Sequence, residues 1–212
     1  MTTRQKVEEL LKLKQDLKSR PDIPLVSSSN DVVFGDGNPD AEIMFIGEAA
    51  GYHEVVEHKP FVGQAGKLLI QVLNETMGLQ RQDVYISNVV KARPPDNRDP
   101  LPNEIEAFRP YLDKEIEIIQ PRIICTLGRF SMAKFTPGVT ISRVHGQSRF
   151  VDFLGHRYIV FPMYHPAAAL RGTTVLNEFK MDFAKLKNLL NQSAPVQILP
   201  ADLPQPAQAS LF

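Results

Sequence analysis

Four short apolar runs, each rich in Ile, Val or Phe and each followed closely by Gly, Asn or Pro, set the pattern of this chain. Ile43 to Ile46, Val84 to Asn88, Ile123 to Leu127 and Tyr158 to Phe161 read as buried parallel strands, because near-continuous apolar runs of this length suit a sheet covered on both faces. Between them the apolar positions return at helical spacing. Gln64 to Met77 reads as a helix, as does Asn103 to Ile119, with Asn103 as cap and Glu106 three residues on. Gly128 to Phe135 is a short helix, and Asn177 to Leu190 turns Phe179, Phe183, Leu186 and Leu190 inward. Ahead of the first strand, residues 4 to 18 form an amphipathic helix with Val7, Leu10, Leu11 and Leu17 on one side, ended by Pro21 and Pro24. The alternation predicts an α/β fold, a three-layer α/β/α sandwich around a mostly parallel four-stranded sheet.

In such sheets ligands bind at the carboxyl ends of the strands. There the chain places Gly47-Glu48-Ala49-Ala50-Gly51, Ser87-Asn88 and Tyr164-His165-Pro166, which together describe one pocket. With 212 residues, 43% of them hydrophobic, one domain over residues 1 to 191 is expected. From Gln192 the composition shifts to Pro, Ala and Gln, so residues 192 to 212 read as a flexible tail. No run approaches the roughly 20 apolar residues of a membrane span, and the N-terminus lacks an apolar signal core, so a cytoplasmic monomer without membrane contact is expected. One cysteine, Cys125, excludes an internal disulfide and any cluster held by several thiolates of the chain. It reads as a small buried hydrophobe. Charges balance at 24 basic against 24 acidic residues, so attraction to nucleic acid must be local. The proline-stiffened loop with Lys91, Arg93 and Arg98 is the candidate, with His145 to Arg149 and Arg171 beside it.

The segments GEAAG, KPFVGQAGKLL, YISNVVKARPPDNRDPLPNE and MYHPAAALR, in this order, resemble the family 4 uracil-DNA glycosylases from about Val32 to Leu190. Ala50 stands where the family usually has Pro, and Val55 and His58 stand where it has an acidic residue and a glycine. Members usually carry an iron-sulfur cluster on four cysteines. The matching positions here are Arg20, Ile23, Ala92 and Phe108, so the cluster is expected to be absent, with Ile23 and Phe108 packing in its place.

The resemblance implies an enzyme that extrudes a uridine, holds the base and cuts its bond to deoxyribose. Phe61 suits stacking on the base, beside Ala49. Asn88 suits reading of the base edge, since one amide donates to uracil O4 and accepts from N3–H; its orientation is expected to be locked by a further hydrogen bond. His165 suits donation to O2 as negative charge develops there. Glu48 and Glu54 are the carboxylates for the water and the sugar cation, their roles undivided. Gly128, Gly146 and Gln147 are candidates for phosphate contact through backbone amides, with His145 near them. No histidine lies between Ser87 and Met132, which argues against the covalent trapping seen in one relative. The alternatives are a uracil-DNA binding module without turnover and a glycosylase for another deaminated base. The last residues, with Gln208, Leu211 and Phe212, resemble the short peptide by which bacterial repair proteins bind the sliding clamp.

Overall fold

The structure is a computed structural model that describes residues 1–192 and 197–198. In chain order its regular elements are α1 (Thr3–Lys18), β1 (Asp36–Gly37), β2 (Ile43–Gly47), α2 (Tyr52–Glu57), α3 (Gln64–Met77), β3 (Tyr85–Asn88), α4 (Pro102–Ile119), β4 (Ile123–Leu127), α5 (Arg129–Phe135), α6 (Ile141–Val144), β5 (Arg149–Phe153), β6 (His156–Met163), α7 (Pro166–Ala169), α8 (Thr173–Gln192) and β7 (Gln197–Ile198). The centre of the sheet is β3-β2-β4-β6, all parallel, built from the four runs that the sequence predicts. Three short antiparallel strands enlarge the four-stranded expectation to seven: β1 on β3, β5 on β6 and β7 on β6. The β5–β6 hairpin turns through Leu154 and Gly155, both at positive φ (50° and 74°). That geometry matches strand twist but carries no Asn-Gly signal by which to find it.

Alternate residues of each central strand feed opposite layers. Met44, Ile46, Tyr85, Ile124 and Val160 join α1 and α4 in one core, whereas Ile43, Phe45, Ile86, Ile123, Cys125 and Phe161 join α3 and α8 in the other. Burial pushes the Cys125 thiol well above its usual pKa, so it is a packing residue. Two helix details depart from expectation. Val7 and Leu11 are exposed, and α1 instead presents Leu10, Leu13 and Leu17, spaced three and four apart, to the core. The cap of α4 uses neither Asn103 nor Glu106: the helix starts at Pro102, Glu104 Oε2 accepts from Leu101 N at 2.7 Å, and Glu106 pairs with Arg109.

Parallel register brings the strand ends into line. Gly47 stands opposite Asn88, and Leu127 opposite Met163. The chain steps from β2 to β3 on one side and then to β4 on the other, so the order of strands reverses at β2, the place where an open α/β sheet offers a crevice.

Candidate active site at the carboxyl edge of the sheet

Gly47 is the floor of the crevice. A Cβ there would overlap Asn88 Oδ1 and come within 2.5 Å of Cε2 and Cζ of Phe61, so the absence of a side chain is what lets the amide and the ring meet. Asn88 is 2% exposed, and its Oδ1 has no hydrogen-bond partner among the described residues. A buried carbonyl oxygen left without a donor costs about 1–3 kcal/mol, and beside the crevice it is suited to accept from a ligand N–H. The further hydrogen bond expected to lock the orientation of the amide is not found on Oδ1 among the described residues. Contact with Gly47 and Phe61 constrains the amide instead, while Lys91 Nζ donates to the main-chain oxygen of Asn88 at 3.3 Å.

Phe61 precedes α3 rather than beginning it, and its φ of 55° is one that a bulky residue adopts only under constraint. The constraint is visible on both sides of the turn. Arg81 donates to the carbonyls of Pro60 (2.6 Å) and Phe61 (3.2 Å) and is itself held by Asp36 at 3.2 Å. Glu54 Oε1 accepts from the amides of Val62 (3.0 Å) and Gly63 (2.8 Å), the start of α3, where a carboxylate is favoured by the helix dipole. Sequence alone does not single out Arg81, because nothing local ties it to a turn twenty residues earlier.

The two carboxylates therefore differ. Glu54 is engaged by backbone amides and acts on the position of Phe61. Glu48 has no such partner among the described residues; burial, reinforced by Asp99 and opposed by Arg129, raises its pKa above the ordinary carboxylate value. A half-buried carboxylate with lone pairs free is suited to orienting or deprotonating water.

His165 sits between β6 and α7. Its Nδ1 accepts from Ala167 N at 3.2 Å, which leaves Nε2 to carry the proton of a neutral ring. Burial, with Arg171 adding to it and Glu54 opposing it, lowers the pKa to about 4. The ring is neutral at physiological pH and is a hydrogen-bond donor at Nε2. Its centroid lies 5.6 Å from that of Phe61, and Gly128, at φ 90°, passes close beneath its Cβ. One imidazole nitrogen thus caps the helix, and the other has no hydrogen-bond partner among the described residues.

Several residues expected at DNA are already engaged within the chain. Lys91 is fully buried and paired with Glu115, also fully buried. Tyr85, Ser87 and the amide of Gly35 complete the pair's hydrogen bonds. The sequence shows a lysine in a polar loop and gives no sign of a carboxylate 24 residues away. Arg98 forks onto Glu104 at 2.6 and 2.9 Å, which ties its loop to the start of α4. The amides of Gly128, Gly146 and Gln147 donate to Met163, Pro162 and Val144, so they are not free for phosphate. His145 is bonded through Nδ1 to buried Asp182 of α8 at 2.7 Å and stacks on Tyr164 at 4.4 Å. Arg93 is partly exposed and Arg171 exposed, and Leu170, 51% exposed, stands just past α7.

The four positions matching the family's cluster cysteines do not fit iron. Ile23, Ala92 and Phe108 lie together in the α1–α4 core, Arg20 is paired with Asp22, and none of the four offers a thiolate. Among the described residues no group of three or more His, Cys, Asp or Glu is placed to hold a metal ion. No helix among them is long and apolar enough to cross a membrane.

A profile described as the uracil DNA glycosylase superfamily matches residues 34–190. Similar proteins include the Type-4 uracil-DNA glycosylase of Saccharolobus solfataricus, 48% identical over 77% of this chain and 78% of its own. The Type-4 uracil-DNA glycosylase of Archaeoglobus fulgidus is 41% identical over 89% and 97%, and that of Thermotoga maritima 38% identical over 91% and 99%. The match encloses every strand that ends at the crevice, together with Phe61, Asn88 and His165, and the chain belongs to the uracil DNA glycosylase superfamily.

Proposed function

We propose that this chain hydrolyses the N-glycosidic bond of uracil in DNA, releasing free uracil and leaving an abasic site. The observation that carries the reading is the buried, unpartnered Oδ1 of Asn88 held between Gly47 and Phe61. Uracil supplies the N3–H that this oxygen lacks. Cytosine offers an acceptor at N3, and meeting it would leave two acceptors facing each other.

Each residue has its own part in the reaction. Phe61 lies against the face of the extruded base, and Ala49 lines the loop beside it. As the bond from C1′ to N1 breaks, its electron pair passes into the uracil ring, and Nε2–H of His165 donates to the charge that grows on O2. A neutral donor serves here, since the bond strengthens as the charge develops. Glu48 orients the water, whose oxygen bonds to C1′ while its proton passes to the carboxylate; the same anion offsets the positive character of the sugar. Glu54 acts indirectly, through the Phe61 turn. Leu170, exposed beside His165, fills the stack that the uridine leaves, as apolar wedges do in other DNA-bending proteins. Arg93 and Arg171 take phosphates.

Incubation with a single-stranded uracil oligonucleotide, followed by alkali, tests the reading. Strand cleavage at the uracil is expected. A gel shift without cleavage would instead indicate a binding module, and cleavage only at another deaminated base would move the substrate. The chemistry is proposed to run without an iron-sulfur cluster, supported by the apolar packing at Ile23, Ala92 and Phe108. Stoichiometric iron in the purified protein would overturn that. Gln208, Leu211 and Phe212 lie outside the described residues. Their resemblance to a clamp-binding peptide supports docking on a bacterial sliding clamp, and deletion of residues 208 to 212 should abolish that affinity.

A further inference from the structure

Tyr52 is the first residue of α2, directly after the Glu48 to Gly51 loop, and it is 60% exposed. An exposed aromatic ring is ordinarily free to turn, but this one is braced. The Arg93 guanidinium carbon lies 5.4 Å from the ring centroid, and the His53 ring stands edge-on to it at 5.5 Å and 79°. Arg93 is itself fixed, because its Nε donates to Asn97 Oδ1 at 2.8 Å. Asn97 reaches it from a turn in which Asp96 and Asn97 both take a φ of 53°, behind Pro94 and Pro95. Asp and Asn are the side chains that tolerate this backbone best. The loops carrying Tyr52 and Arg93 are joined by a bond from Ala50 N to Ala92 O at 3.4 Å. The terminal nitrogens of Arg93 meet no acceptor among the described residues. Val56, one turn along α2 and 61% exposed, continues the apolar strip.

We infer that Tyr52 and Arg93 form a stacking subsite for the nucleobase next to the extruded uridine, with Arg93 on the intervening phosphate. The inference rests on the proposed use of the neighbouring crevice. Extrusion strips the adjacent base of one stacking partner, and a ring fixed at the lip of the crevice replaces it. The guanidinium lies over the ring, and with Tyr52 60% exposed the ring keeps surface on which a base can stack. Arg93 contributes a cation to both ring and phosphate, and its planar group suits both contacts.

The test uses the full chain and a single-stranded oligonucleotide in which 2′-fluoro-deoxyuridine resists cleavage and 2-aminopurine is the neighbour. Binding to the wild type should quench 2-aminopurine, with Tyr52→Phe behaving alike. Tyr52→Ala should lose the quench and bind about 5- to 150-fold more weakly, the range for one stacked base. Replacing both neighbours of the uridine by abasic spacers should erase the difference between Tyr52→Ala and wild type. Affinity of Tyr52→Ala within twofold of wild type, or an equal loss on the spacer substrate, overturns the subsite. Wild-type protein that cleaves uracil DNA in that case leaves the crevice reading standing; wild-type protein that neither binds nor cleaves it removes both.

Discussion

The ring of Phe61 lies 5.6 Å from that of His165, centroid to centroid, inclined at 36°, although 104 residues of chain separate them. The ring proposed to cover the base and the imidazole proposed to take its charge are thus neighbours in the fold. Replacing Phe61 by Ala removes the stacking face, and kcat/KM for uracil release should fall by about 5- to 150-fold, the equivalent of roughly 1–3 kcal/mol. Steady-state release from a uracil oligonucleotide measures it, with a melting curve to show that the variant is folded. A loss below twofold would contradict the placement of the base against this ring.

Glu48 and Glu54 should separate under the same substitution. Glu54→Gln keeps an oxygen to accept from Val62 and Gly63, so the Phe61 turn survives and activity should stay within about tenfold of wild type. Glu48→Gln removes the base and the anion, and kcat should drop about 10²- to 10⁴-fold. The opposite ranking in single-turnover rates would reverse the assignment.

Two shifted groups set the pH profile. His165 stays neutral down to about pH 4, so it adds no inflection near its ordinary value, and the acid limb of kcat should belong to Glu48, shifted upward from its ordinary position by burial. Glu48→Gln should leave a low, flat profile across that limb. In stability the sign is equally definite. Below about pH 6.5 the unfolded chain protonates His165 while the fold refuses the proton until about pH 4, so the unfolded state binds more protons and this contribution is lost as pH falls through that window. His165→Gln should flatten the corresponding slope in urea unfolding.

Lys91 and Glu115 form a buried pair beneath the strand that carries Asn88. Lys91→Met leaves Glu115 buried without its cation, and should cost about 3–5 kcal/mol of stability by urea titration. The double variant with Glu115→Gln, neutral on both sides and still able to accept from Gly35, Tyr85 or Ser87, should recover much of that loss. If the double variant is also slow to release uracil while melting near wild type, the pair positions Asn88 as well as stabilising the core.

The sequence by itself determined the central sheet and the places where its strands end. Ile43, Val84, Ile123 and Tyr158 begin runs whose length and β-branched content suit no other element, and the residues just past each run must then lie on one edge. Asn88 and His165 could be placed on that edge from the runs before them, whereas Phe61 lies well past its strand and was singled out only through the motif it sits in. Tertiary structure alone decided which polar groups were already taken. Lys91 reads like a phosphate ligand until Glu115 is packed against it, Glu54 like a second catalytic carboxylate until the amides of Val62 and Gly63 close on it, and His145 like a DNA contact until Asp182 reaches it from α8. Hydrophobic periodicity is a property of neighbours in the chain, whereas hydrogen-bond satisfaction depends on partners brought together from tens of residues away, and only the folded arrangement pairs them.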